Sequence, residues 1–133
     1  MKVNLKVFQD KKEALKACSG NSLLDRISGI TYDDLVDMFG EPLFLPEDSK
    51  DGKVNFEWVV EFNNEVFTIY DWKESEEYAK NSLGRKNRRA FHIGGKEINN
   101  QFIDFLYFSN SNGLVFPREN ELTVEGYDNE ITF

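Results

Sequence analysis

Two short stretches hold the residue types from which a small polar ligand could be gripped. Tyr70 and Trp72 stand two apart in TIYDWK (68–73), so an extended chain puts both on one face. Arg88, Arg89 and His92 follow in RRAFHIGG (88–95), which ends on Gly94 and Gly95. Aromatic rings stack on a base and guanidinium groups pair with phosphate, a workable recipe for a nucleotide or nucleotide-like signal. If the two glycines close a strand and open a helix, their backbone N–H groups are also free to hold an anion. The same residues have a plainer reading. Aromatics on a strand pack against a helix as core, and Gly-Gly is an ordinary strand-to-helix turn.

Other chemistries are thinner. His92 is the single histidine and Cys18 the single cysteine, which removes the multi-histidine and cysteine-rich metal sites and any internal disulfide. Asp48-Ser49-Lys50-Asp51-Gly52 lacks the spacing and terminal glutamate of an EF-hand loop. There is no G-x-S-x-G elbow, P-loop or G-x-G-x-x-G. His92 could pair with Asp71 or Glu57, but any small acidic protein offers a carboxylate near its one histidine. The expectation is a protein without metal or cofactor that works by binding rather than catalysis.

Charge is the other chemical signal. The formal net charge is −8, which repels nucleic acid and anionic membranes at long range. Between Asp33 and Glu77 there are 14 acids against three lysines, and then Arg85-Lys86-Asn87-Arg88-Arg89 packs four cations into five positions. A solvated surface that keeps the protein soluble would account for the acids. Asp33, Asp37, Glu57, Glu61 and Glu65 are the candidates for an acidic surface that meets a partner.

The elements that must position these residues centre on Lys53–Trp72. Val54, Phe56, Trp58, Val60 and Phe62 alternate with more polar neighbours, the period of a half-buried strand. Asn63-Asn64 tolerates the positive φ of a tight reversal, and Glu65–Trp72 returns in β-branched and aromatic residues. Around this hairpin the pattern predicts a strand over 1–8, a helix from Asp10 to about Cys18 and a helix from Thr31 to Phe39 that stops at Gly40 and Pro42. It also predicts a loop over 43–52, an exposed connection over 73–86, a strand over 89–93 and an amphipathic helix from Glu97 to about Phe108. Strands over 114–116, 122–125 and 131–133 complete it. The sum is one α+β domain, an antiparallel sheet built on a central hairpin with helices packed on one face. Residues 1–21 read as an N-terminal strand-helix extension, 22–109 as the core and 110–133 as a C-terminal strand extension. No apolar run approaches the roughly 20 residues that span a bilayer, and no signal peptide is evident, so the cytosol is the default setting.

The order TYDDLVDMFGEP (31–42), VNFEWVVEF (54–62), TIYDWK (68–73) and FHIGG (91–95) resembles a family of small proteins of bacteriophages and large DNA viruses. That family has a helix ending in F-G-x-P, a strand with E-W-x-[IV]-x-F, a strand with [TA]-I-Y-[ND]-[WY]-K and a W-H-I-G-G turn. The resemblance spans about residues 22–107, with Phe91 where the family has tryptophan. It implies a phage protein of the host cytoplasm and, with the acidity, an inhibitor of bacterial immunity. The favoured form resembles anti-CRISPR proteins, with acids occupying the basic channel of a nucleic-acid-binding effector such as a Cas protein. A sponge for a nucleotide immune signal is the alternative, and an enzyme degrading that signal through His92 a third. A homodimer stays open.

Overall fold

The computed structural model describes residues 2–45, 48, 56–71, 90–116 and 119–123. Trp72, the 73–86 connection, the Arg85–Arg89 island and residues 131–133 lie outside them. The elements run β1 (Lys2–Val7), α1 (Lys11–Ala17), β2 (Ser22–Ser28), α2 (Tyr32–Phe39), β3 (Glu57–Phe62), β4 (Glu65–Tyr70), β5 (Ala90–Gly95), α3 (Asn100–Ser111) and β6 (Glu119–Thr123). The strands form one antiparallel sheet in the order β2-β5-β4-β3-β1-β6. The fold is α+β, and the β3–β4 hairpin occupies the middle of the sheet.

Asn63 and Asn64 turn that hairpin at φ 47° and 70°, the left-handed pair a two-residue turn between twisted strands needs. The turn fixes the register: Phe62 faces Glu65, Val60 faces Phe67, Trp58 faces Ile69 and Glu57 faces Tyr70. One face of the sheet is therefore apolar. Val3, Leu5 and Val7 of β1, Trp58, Val60 and Phe62 of β3, Phe67 and Ile69 of β4, and Phe91 and Ile93 of β5 join Ile27 of β2 in one buried cluster. Tyr32, Leu35, Met38 and Phe39 of α2 and Phe102, Phe105 and Leu106 of α3 close it from above. Phe67 and Phe102 stack at 4.2 Å between ring centroids, tying α3 to the hairpin. Each large side chain so buried contributes about 1.5–3 kcal/mol.

The helix starts follow the expected chemistry. Asp10 accepts the Glu13 N–H, and Asn99 accepts the Phe102 N–H. Thr31 and Asp34 make a full capping box, each side chain taking the other's backbone N–H. Gly40 ends α2 at φ 87°, and its carbonyl accepts the Trp58 indole N–H at 2.9 Å.

Three elements depart from the sequence pattern. β2 was not marked by alternation, because its register shifts between Leu23 and Asp25 and most of its residues face solvent at the sheet edge. Residues 114–116 form no strand; the Phe116 N–H instead donates to Met38 O. Finally, α1 does not join α2 and α3. Ala14 packs with Phe8 and Val59, joined by Ala17, Cys18 and Val66, on the sheet's opposite face.

Candidate functional site

The face under α1 carries the polar side chains. Val59, Val66 and Phe8 anchor the helix there, and toward β5 the residues turn polar. Strand register lines up four side chains across the sheet: Glu57 faces Tyr70, Tyr70 faces His92, and His92 faces Arg26. Directly opposed residues on neighbouring strands have Cβ atoms about 4.5–5.5 Å apart, so this is a contiguous row with an acid at one end and a guanidinium at the other. Tyr70 and His92 meet edge to face, with centroids 5.5 Å apart and planes at 84°.

At the acid end the row opens into a cleft of about 260 Å³, lined by Cys18, Asn21, Ser22, Glu57, Thr68, Tyr70 and Gly94. Burial pushes the Glu57 carboxyl up to about 7, and the nearby Asp71 carboxyl adds to the effect. Asp71 is itself fully buried, its Oδ1 accepting the Phe56 N–H at 2.9 Å. Burial, then the Glu57 charge, raise both the Cys18 thiol and the Tyr70 hydroxyl. A thiol held protonated in this way is not an activated nucleophile. Asn21 donates through Nδ2 to Val66 O at 3.3 Å, which leaves its Oδ1 buried with no donor among the described residues.

The glycines do not serve as expected. Gly94 and Gly95 lie inside β5, opposite Leu23 and Ser22 of β2, and α3 starts only at Asn100. They present no free N–H pair at a helix start, and the anion cradle read from Gly-Gly is corrected accordingly. Glycine is required here by space. A Cβ on Gly94 would run into Thr68 Oγ1, and one on Gly95 would come within 2.7 Å of Leu24 Cδ1 and 3.0 Å of Phe67 Cδ1.

Of the other expected ligand residues, Tyr70 and His92 are brought together, while Trp72, Arg88 and Arg89 lie outside the described residues. The five acids do not form one surface. Asp33 and Asp37 are exposed on α2, which covers the apolar face. Glu61 lies on the face that carries α1, since it opposes Val66. Glu65 is exposed at the start of β4 and accepts from Asn99 Nδ2. Glu57 is the clearest correction: it is mostly buried in the cleft, because α1 and the 43–44 segment cover what alternation alone marks as the outer face. Register arithmetic from the two-residue turn could have paired it with Tyr70. Arg26, Asn21 and Thr68 carry no such signal, Arg26 because β2 shows no alternation.

Among the described residues no group of three or more histidines, cysteines and acids could hold a metal ion, and no helix is long and apolar enough to cross a membrane. Comparison with protein families, curated proteins and solved structures returns no match.

Proposed function

We propose that the chain is a phage-encoded, non-enzymatic inhibitor of a bacterial immune system. It acts in the host cytoplasm by presenting the acids of α2 to the basic channel of a nucleic-acid-binding effector. The observation that carries this reading is the placement of Asp33 and Asp37. They stand one helical turn apart on the exposed side of α2, with no ion pair to either among the described residues. Like charges at that spacing destabilise a helix by about 0.2–0.5 kcal/mol. Asp37 also lies in the last turn, where the macrodipole disfavours an acid and no basic residue offsets it. Asp33, in the first turn, is favoured by the macrodipole, but Asp37 is not, and it is the Asp37 charge that a cationic partner would offset. Glu41, just past the helix end, is also exposed, and its carboxylate accepts the Tyr32 hydroxyl at 3.1 Å.

The test is a pull-down from a defence-expressing host with wild-type protein and with the Asp33→Asn/Asp37→Asn double variant. The reading expects a nucleic-acid-binding effector captured by the first and lost with the second. Equal capture by both, or capture of a partner that still binds its nucleic acid, would refute it.

The sponge reading keeps one observation in its favour, the His92–Arg26 end of the cross-sheet row, where a base and a phosphate would find an aromatic ring and a guanidinium. Calorimetry against cyclic nucleotides and ADP-ribose derivatives decides it; no heat at high ligand concentration eliminates it.

A further inference from the structure

The cleft beside Glu57 is distinct from the α2 surface, and its chemistry points away from phosphate. Its one carboxyl group is that of Glu57, its hydroxyls are those of Ser22, Thr68 and Tyr70, which can accept as well as donate, and among the described residues the buried Asn21 side-chain oxygen has no donor. Asp71 stands behind Glu57 and adds negative potential. Among the described residues, the cationic side chain on this row is Arg26, two strands away from Tyr70. An anion would meet uncompensated repulsion in such a site, whereas a hydrogen-bond donor carrying positive charge would meet oriented acceptors.

We propose that this cleft is a cation site that takes one ammonium or guanidinium group, with Glu57 as its counter-charge and Tyr70, Thr68 and Asn21 as hydrogen-bond acceptors around it. Two sources share that chemistry: a free small amine or guanidine, and a lysine or arginine side chain presented by a partner protein. The site holds whether or not α2 is the inhibitory surface, because the two readings rest on different residues and different assays.

The protonation state of Glu57 supplies an internal control. A proton and the cation compete for the carboxylate, and the group titrates near 7. Binding therefore strengthens about tenfold from pH 6 to pH 8, following the ionised fraction. The titratable and charged groups around Glu57 are Cys18 from α1, Tyr70 and Asp71 at the end of β4, and His92 and Arg26 further along the row. Cys18 and Tyr70 are both raised and stay protonated in this range. Glu57→Gln separates a Glu57 effect from one due to His92.

The experiment is an amide NMR titration of the full chain with agmatine, with N-acetyl-arginine methylamide and, as the anion probe, with AMP. Saturable agmatine shifts at Thr68, Tyr70 and Gly94, about tenfold weaker at pH 6 than at pH 8 and lost in Glu57→Gln, support the site. Matching shifts with the capped arginine assign it to a partner's side chain; shifts with agmatine alone assign it to a free amine. The proposal is overturned by no saturable shift with either cation, by shifts that persist in Glu57→Gln, or by AMP saturating the same signals. Thermal melts of Glu57→Gln at each pH establish that a lost response is not lost folding.

Discussion

Replacing Glu57 by glutamine should stabilise this protein, and only above a particular pH. In the unfolded chain the carboxyl titrates near its ordinary 4.5; in the fold, burial first and Asp71 second push it to about 7. Below 4.5 the group is neutral in both states and contributes nothing to pH dependence. Between 4.5 and 7 the folded state holds a proton that the unfolded state has released, so stability falls as pH rises through that window. Above 7 the fold must carry a buried charge, at a cost of about 3 kcal/mol. Glutamine keeps the shape and removes the charge. The difference in unfolding free energy between Glu57→Gln and wild type should therefore grow by about 3 kcal/mol from pH 4.5 to pH 8, or about 10 °C in melting temperature for a chain of this size. Denaturant titrations of both proteins at half-unit pH steps measure it. A difference that stays constant across pH would mean that the Glu57 carboxyl is solvated, and the cleft argument would fall with it.

Other substitutions probe the geometry around that cleft. Gly94→Ala places a methyl against Thr68 Oγ1 and should cost about 1–3 kcal/mol. In a Thr68→Ala background the same change should cost clearly less, and a double-mutant cycle in urea reads the coupling. Thr31→Ala removes half of the α2 capping box and should lower stability by about 1 kcal/mol by the same assay. Phe67→Ala breaks the stack with Phe102 and should cost about 3–5 kcal/mol, with loss of near-ultraviolet circular dichroism before any loss of helix signal.

The parts of the fold that were legible in the sequence are those where one periodicity acts alone. β3 and β4 alternate cleanly and are joined by two residues that accept positive φ, so the hairpin could be read with its register. α2 was bracketed by Thr31 and Gly40, each with a local chemical reason. The missed strand, β2, has a shifted register after Leu23 and an exposed outer edge, so its apolar residues keep no period. Gly94-Gly95 reads as a turn because glycine usually supplies conformational freedom; here it supplies room for Thr68, Leu24 and Phe67, which only the packed sheet reveals. Glu57 illustrates the same limit for the site. Alternation separates the two faces of a strand but cannot say which is left open, and α1 covers the face that carries Glu57, Val59 and Glu61. Tyr70 and His92 meet because β5 pairs with β4, a pairing that the sequence pattern alone leaves open, and the extension of the row to Glu57 and Arg26 needs the register of four strands.

The central claim, that α2 presents its acids to a basic effector surface, is tested most directly by the affinity for the captured effector as a function of salt. Wild-type affinity should fall steadily with rising ionic strength. Asp33→Asn/Asp37→Asn should bind about tenfold more weakly at low salt, show a shallower salt dependence and melt close to wild type, since the first-turn gain lost at Asp33 offsets the repulsion and last-turn cost relieved at Asp37. Affinity that ignores both salt and the two substitutions would contradict the account.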